Sequence, residues 1–231
     1  MKTFILLAPL TLVWFLPPIH QSQLYHHFAN HTDYLGIPNF WNVISNLAFL
    51  IVAALAWPLA PKGINAFRVL LIGIALTTFG SAYYHAQPTD ARLLWDRLPM
   101  TLVFMCVLTI TIGDRIKPSL AHKLLWPLLA AGALSVLYWR ISGDLRPYVI
   151  VQFYPLIAVP AMLSIPSEIA VISLPAQWSM IAFYALAKIA ELVDSRFPTI
   201  PSGAHAWKHV LAAVGLLIYT QAFIRPKCPQ R

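Results

Sequence analysis

Long apolar stretches recur along the chain, at residues 3–19, 43–60, 66–86, 93–113, 124–139, 148–165, 171–190 and 204–224. None alternates polar and apolar positions as a barrel strand would. A helix needs about 20 residues to cross a hydrocarbon core of about 30 Å. Because lipid offers no partner to a bare peptide group, only helices or closed barrels can span it. The pattern therefore predicts an all-α polytopic membrane bundle of seven core transmembrane helices, with one further apolar segment in front. Pro and Gly punctuate the spans, in PLAPKG at 58–63, QPTD at 87–90 and FPTIPSG at 197–203, and these stops place the next helix starts. Pro155, Pro160 and Pro166 predict a fifth span that is bent or locally irregular, and such a break is one way to open a lateral path for a lipid.

The leading segment divides the chain. Residues 1–19 begin with Lys2 and an apolar run ending at Pro17 and Pro18, which has the outline of a signal peptide. No small-x-small cleavage site follows, so an uncleaved signal anchor or extra transmembrane helix is the preferred reading. Behind it come an outer loop at 20–39, the seven-helix domain at 40–225 and a short inner tail at 226–231.

Composition agrees with the bilayer as solvent: 59% of residues are hydrophobic and 10% charged, against about 25% charged in an ordinary soluble domain. The formal charge of +8 raises nucleic acid as a partner. The basic residues are nevertheless scattered over loops on both sides instead of forming a stripe, so membrane lipids are expected and nucleic acid is not. With Lys2 inside, Lys62, Arg68, Arg115, Lys117, Lys123, Arg225, Lys227 and Arg231 share its side, and the smaller set Arg92, Arg97, Arg140, Arg146 and Arg196 lies opposite. The positive-inside rule then puts both termini inside. Cys106 lies in a span and Cys228 in the tail, so no disulfide between them is expected. Oligomeric state is not legible, since a lipid-facing apolar surface hides a protein-facing one.

Candidate chemistry gathers on the predicted outer side. In GSAYYH, Ser81 and His85 are four residues apart and share a helix face. The third span opens LLWDRLPM, whose Asp96 is costly at the edge of lipid unless it is paired, solvated or serves a site. Its neighbour Arg97 is a poor partner, because adjacent helix positions point in different directions. The last span opens SGAHAWKH, with His205 and His209 again four apart. Three imidazoles with one open position make a catalytic zinc arrangement, whereas a structural zinc normally takes four protein ligands. Asp96 then has two candidate jobs, accepting the proton of an activated water or orienting a liganding imidazole. Ser81 would bond that water or an oxyanion, or cap its own backbone. In KIAELVD, Lys188 and Glu191 can pair, and Glu191 or Asp194 can steady Lys208 or Arg196 near the metal, with ordinary interfacial ion pairing as the alternative. His20, His26, His27 and His31 form a rival set that reads better as a polar loop. Asp33, Asn39, Asn42, Ser45 and Asn46 suggest interhelical hydrogen bonds or a second, harder ion.

The ordered set FWNVISNLAF, GSAYYH, LLWDRLPM and SGAHAWKH resembles the alkaline ceramidase family, over about residues 33–225. That family belongs to a group of seven-span metal-dependent membrane hydrolases that includes the adiponectin and progestin receptors. The resemblance implies an intramembrane Zn2+ held at His85, His205 and His209, with Ser81 and Asp96 as the family's serine and water-activating aspartate. It also implies hydrolysis of the amide of a ceramide or related long-chain N-acyl lipid to a fatty acid and an amine. One departure bears on Ca2+: animal and yeast members carry a glutamate just ahead of FWN, in an acidic stretch that binds calcium. Asn39 stands there in this chain, and Asp33 is the one carboxylate between 20 and 40, which argues against calcium. The leading apolar segment resembles bacterial relatives, implying a bacterial inner (cell) membrane. The competing readings are a receptor-like or inactive zinc protein, which would lack a substrate cavity, and a transporter, which would spread its polar residues to both sides of the midplane.

Overall fold

In a computed structural model, the structure describes residues 11–61, 63–196 and 202–224. The first ten residues of the leading segment, Lys62 and the inner tail lie outside the described residues. The fold is all-α. Its helices are α1 (Phe40–Ile44), α2 (Leu47–Ala56), α3 (Asn65–Ala86), α4 (Asp90–Arg115), α5 (Pro118–Ser142), α6 (Arg146–Phe153), α7 (Pro155–Leu163), α8 (Leu174–Val193) and α9 (Gly203–Ile224). Among the described residues, six helical stretches are long and apolar enough to cross a membrane: Phe40–Leu59, Asn65–Ala86, Asp90–Arg115, Pro118–Ser142, Arg146–Leu163 and Gly203–Ile224. The 20-residue α8 is long enough but less apolar, since it carries Gln177, Lys188 and Glu191.

Two spans are broken, and each break has a local cause. In the first, Ser45 Oγ and Asn46 Nδ2 both donate to the Asn42 carbonyl, at 3.3 and 2.7 Å, in competition with the backbone ladder. The helix is interrupted there and resumes as α2. In the fifth expected span, Pro155 follows a turn at Tyr154 and starts α7 at its first position, where a missing N–H costs least. This is the irregularity that the prolines predict.

The axis of the bundle is α4: 67% of its apolar window is buried, against 28–44% for the other five. It packs against α3, α5, α6 and α7, while α9 packs against α8 and α2, and α2 closes on α3. α3 and α4 approach closely at Gly80. Pro99 has no N–H to offer the carbonyl four residues earlier, that of Trp95, which is left free of its ladder bond. That carbonyl is turned towards Gly80 of α3, where a Cβ would stand 2.0 Å from it. Gly80 and Pro99 thus let the two helices meet backbone to side-chain edge, one residue from Ser81 and three from Asp96.

Carboxylates pin both ends of the bundle. At the end away from Ser81, Asp114 accepts the Val171 and Ile172 amides at 2.7 and 3.1 Å and the Gln177 side chain at 3.2 Å, and pairs with Arg115 at 3.1 Å. This fixes the connection between α7 and α8 to the end of α4. At the other end, Asp144 accepts the Ile19 amide at 3.2 Å and both the backbone and side chain of Arg146, tying the segment before Gln21 to the loop between α5 and α6. Burial opposes ionisation of Asp144, but these hydrogen bonds and the Arg146 charge outweigh it and hold the carboxyl below the ordinary aspartate value of 3.8.

Two measurements test these constraints. Gly80→Ala is expected to cost about 1–3 kcal/mol or more, read as a lower Tm in detergent, because the new methyl meets backbone instead of a movable side chain. For Asp144, the depressed folded value means that its contribution is complete above pH 3.8 and is lost as pH falls through the folded value. Asp144→Asn should lower Tm at neutral pH and flatten its decline below about pH 4 relative to wild type.

Candidate metal centre

The last turn of α3 brings His85 to the first turns of α9, which carry His205 and His209. All three are buried, at 0%, 4% and 3% exposure. One ring nitrogen from each lies within 4.8 Å of the others, and these three form the metal-capable cluster among the described residues. Their ring centroids are 4.9 Å apart for both pairs with His85 and 5.3 Å apart for His205 and His209.

Unpaired nitrogens are what qualify the cluster as a metal site. Both ring nitrogens of His85 and the Nε2 atoms of His205 and His209 are buried with no hydrogen-bond partner. Each such atom costs about 1–3 kcal/mol when it stays unsatisfied, and three orphaned imidazoles converging in an apolar bundle fit one soft-to-borderline cation with an all-nitrogen donor set. The residues present therefore suit Zn2+.

The backbone is fixed around the same point. A helix leaves its last carbonyls and first amides unpaired; here Asn39 Nδ2 donates to the His85 carbonyl at 2.9 Å, and the His205 amide donates to Asp194 Oδ1 at 2.8 Å. Asp194 Oδ2 also accepts the Ala29 amide at 2.9 Å. The interruption after α1 places Ser45 Oγ 2.7 Å from His209 Nδ1. Since the Ser45 proton goes to the Asn42 carbonyl, the hydroxyl accepts from Nδ1–H, and Nε2 of His209 is left with its lone pair for a ligand role. Phe28, buried in the N-terminal connection, lies over the cluster with its ring 4.8 Å from His85 and 4.6 Å from His205.

Asp96 and Ser81 are buried, and both line the space that His209 also lines. Asp96 and Arg97 form no ion pair: among the described residues, Arg97 hydrogen-bonds Gln21 at 2.6 Å and stacks on aromatic rings. Glu191 bridges Lys188 and Lys208, the latter at 2.9 Å, and accepts from the Tyr25 hydroxyl at 3.0 Å. Burial raises the Tyr25 phenol well above its ordinary value, so it remains a donor to that carboxylate. Lys188, Glu191 and Lys208 thus form a charged group on the cavity wall, while Asp194 serves backbone amides and does not pair with Arg196.

The remaining candidates stand apart. His26 lies between Tyr84 Oη at 2.9 Å and Asp90 at 3.0 Å, and His31 contacts Asn39 at 3.3 Å, so these loop histidines act as loop fastenings. Asp33 accepts the Asn39 amide at 3.0 Å, and Asn39 has left-handed backbone with φ of 48°. Asn42 is buried below them. The interhelical hydrogen bonding expected of this stretch is met by Asn39 and Ser45.

A cavity of about 350 Å³ opens beside the centre. At its polar end are Ser81, Asp96, Arg97, Lys208 and His209, and its depth is lined by apolar side chains such as Ile74, Val107, Val159, Met180 and Leu216. Its walls come from α3, α4, α6, α7, α8 and α9, and Gln152 of α6 donates across it to Tyr184 of α8 at 3.2 Å.

Phe28 and Ser45 are the contributions to the site that sequence alone leaves without a role or a partner. Comparison with known proteins bears on the whole arrangement. A family model described as Ceramidase matches residues 30–187, which is 158 of 231 residues. No curated protein matches. The match ends before α9, so it is the fold that joins His205 and His209 to His85.

Ser45→Ala is expected to weaken zinc binding about tenfold while leaving the bundle folded, as measured by competition with a chromogenic zinc chelator on detergent-purified protein.

Proposed function

This chain belongs to the ceramidase family, and from that premise we propose that it hydrolyses a long-chain lipid amide at the His85, His205 and His209 centre, releasing a fatty acid and an amine. The protein is a multi-pass membrane hydrolase with a histidine zinc site. The observation that carries the proposal is the join between that site and the cavity: His209 of the orphaned cluster and the buried Asp96 both line a space whose depth is apolar. A cavity of that character suits an acyl chain. It also weighs against a receptor-like protein that keeps zinc for architecture alone.

When bound, zinc supplies Lewis acidity at this point, polarising a carbonyl and acidifying water. The residues of the chain do the rest. Asp96 is the proton carrier, taking a proton at its carboxylate as water attacks and returning it to the departing amine nitrogen. One observation favours this role over orienting an imidazole: the orienting partner of His209 is Ser45. Ser81 lines the same end of the cavity as Asp96 and is placed to aim the carboxylate or bond the attacking water. Glu191 holds Lys208 at the rim of the same space, where its ammonium lowers the cost of negative charge developing on the substrate. Phe28 keeps water from the far side of the histidines.

Entry is lateral in this reading. The broken fifth span and α8 form the cavity wall joined by Gln152 and Tyr184, and an acyl chain passes there from lipid. We read α8 as the sixth of seven spans, its charged end turned to the site, and residues 1–19 as an anchor before the 40–225 bundle. The positive-inside bias puts the metal end on the outer side of a bacterial inner membrane, with both termini inside.

The test is zinc content and lipid-amide hydrolysis on purified protein. Wild type should hold about one zinc and turn over. His209→Ala should lose the metal. Asp96→Asn should keep it while kcat/KM falls by about a hundredfold or more. Zinc-free, well-folded wild type would overturn the metal site, and bound zinc without turnover of several lipid amides would favour the receptor-like protein.

A further inference from the structure

Arg97 is the charged side chain that the proposed chemistry does not use, and its surroundings are unusual. It is 6% exposed and lines the polar end of the cavity. Its guanidinium lies 4.3 Å from the Trp139 ring centroid and 4.7 Å from that of Tyr148, with Tyr25 further off at 5.8 Å. One terminal nitrogen, Nη2, donates to Gln21 at 2.6 Å. The other, Nη1, is buried with no partner.

The other cations in this wall are matched: Lys188 and Lys208 share Glu191. Among the described residues the ion pairs join His26 to Asp90, Arg115 to Asp114, Arg146 to Asp144, and Glu191 to its two lysines; none includes Arg97. A guanidinium buried without an anion is costly, and the aromatic faces recover part of that cost without using its N–H groups. A guanidinium that keeps one buried terminal nitrogen unpaired, on a residue lining a cavity, is the arrangement that a small side-chain shift presents to a carboxylate or similar anion.

We propose that Arg97 is a specificity residue that binds an anionic group on the amine portion of the substrate, so that the preferred substrates are long-chain N-acyl amines bearing a carboxylate close to the amide, the N-acyl amino acid class. The inference rests on the hydrolase reading and narrows it. Arg97 and Asp96 line the same end of one cavity, so the group that Arg97 holds lies close to the nitrogen that Asp96 protonates. The acyl chain occupies the apolar depth on the other side of the amide. An uncharged amine portion leaves Nη1 unsatisfied, which is how the site discriminates. Gln21 reaches Arg97 from the N-terminal connection, so that segment helps aim the guanidinium.

The experiment compares N-lauroylglycine with N-lauroylethanolamine, which share an acyl chain and differ in the charge of the amine portion. Steady-state kinetics on zinc-loaded wild type should favour the glycine amide roughly ten- to a hundredfold in kcat/KM, the range of one charge-assisted hydrogen bond. In Arg97→Gln that ratio should collapse towards one, mainly through a higher KM for the glycine amide, and Arg97→Lys should restore part of it. Thermal shifts with each amide, measured in Asp96→Asn with and without Arg97→Gln, give a second reading without turnover. A ratio near one in wild type, or a preference that survives Arg97→Gln in both kinetics and thermal shift, overturns the proposal. If neither amide is hydrolysed but the glycine amide alone stabilises the protein through Arg97, the hydrolase reading fails and the anion subsite stands. No hydrolysis and equal stabilisation overturn both.

Discussion

Three imidazoles without hydrogen-bond partners, held together inside an apolar bundle, are the constraint on which the rest of this structure depends. Their free nitrogens are costly unless something binds them, and no local helix geometry alone gathers them, since they come from the end of α3 and the start of α9. The chain meets the requirement by placing two helix termini against each other and satisfying the backbone groups that termini leave open. Asn39 covers the His85 carbonyl and Asp194 covers the His205 amide. These contacts make the ends rigid without using the imidazole nitrogens, which remain available to an ion.

The second requirement is to bring a carboxylate to that centre, and it is met by backbone economy. Asp96 sits on α4 near Pro99, the residue that removes the ladder donor from the Trp95 carbonyl, and Gly80 removes the side chain that would otherwise stand in that carbonyl's way. Small residues commonly let membrane helices approach closely. In this protein the approach has a chemical result, because Ser81 is the next residue after Gly80 and lines the same end of the cavity as Asp96. The glycine of GSAYYH and the proline of LLWDRLPM belong to one device that sets the position of the carboxylate.

Much of this was legible in the sequence, and the division between legible and hidden parts follows sequence separation. Apolar length alone marks six crossing stretches, and the prolines mark the break between α6 and α7. Spacing of four residues puts His205 and His209 on one face, and the shared side of the bundle brings His85 to them. The remaining stretch is harder because α8 carries the charged group that serves the cavity, which lowers its apolar character. Hidden altogether were contacts between distant positions with no periodic signature: Ser45 with His209, Phe28 over two histidines, and Gln21 with Arg97. A serine near the start of a span looks the same whether it caps its own helix or holds a partner 164 residues away. The pairing of Asp96 with Arg97 is the opposite case, in which adjacency in sequence suggests a contact that helix geometry denies.

What marks the structural contacts is how completely their carboxylates are satisfied. Asp114 has two backbone amides, a glutamine and an arginine; Asp144 has an amide and an arginine; Asp194 has two amides. Such carboxylates have no capacity to spare for a ligand, and each fastens one segment to another. At the metal centre three imidazoles with unpaired nitrogens converge within 4.8 Å, and Arg97, with Nη1 unpaired, lines the cavity beside them. A bundle in lipid has little tolerance for unmet polar groups, so a convergent set of them requires an explanation. A metal ion at the histidines and an anion at Arg97 satisfy both sets, whereas a purely structural account has to treat them as separate defects.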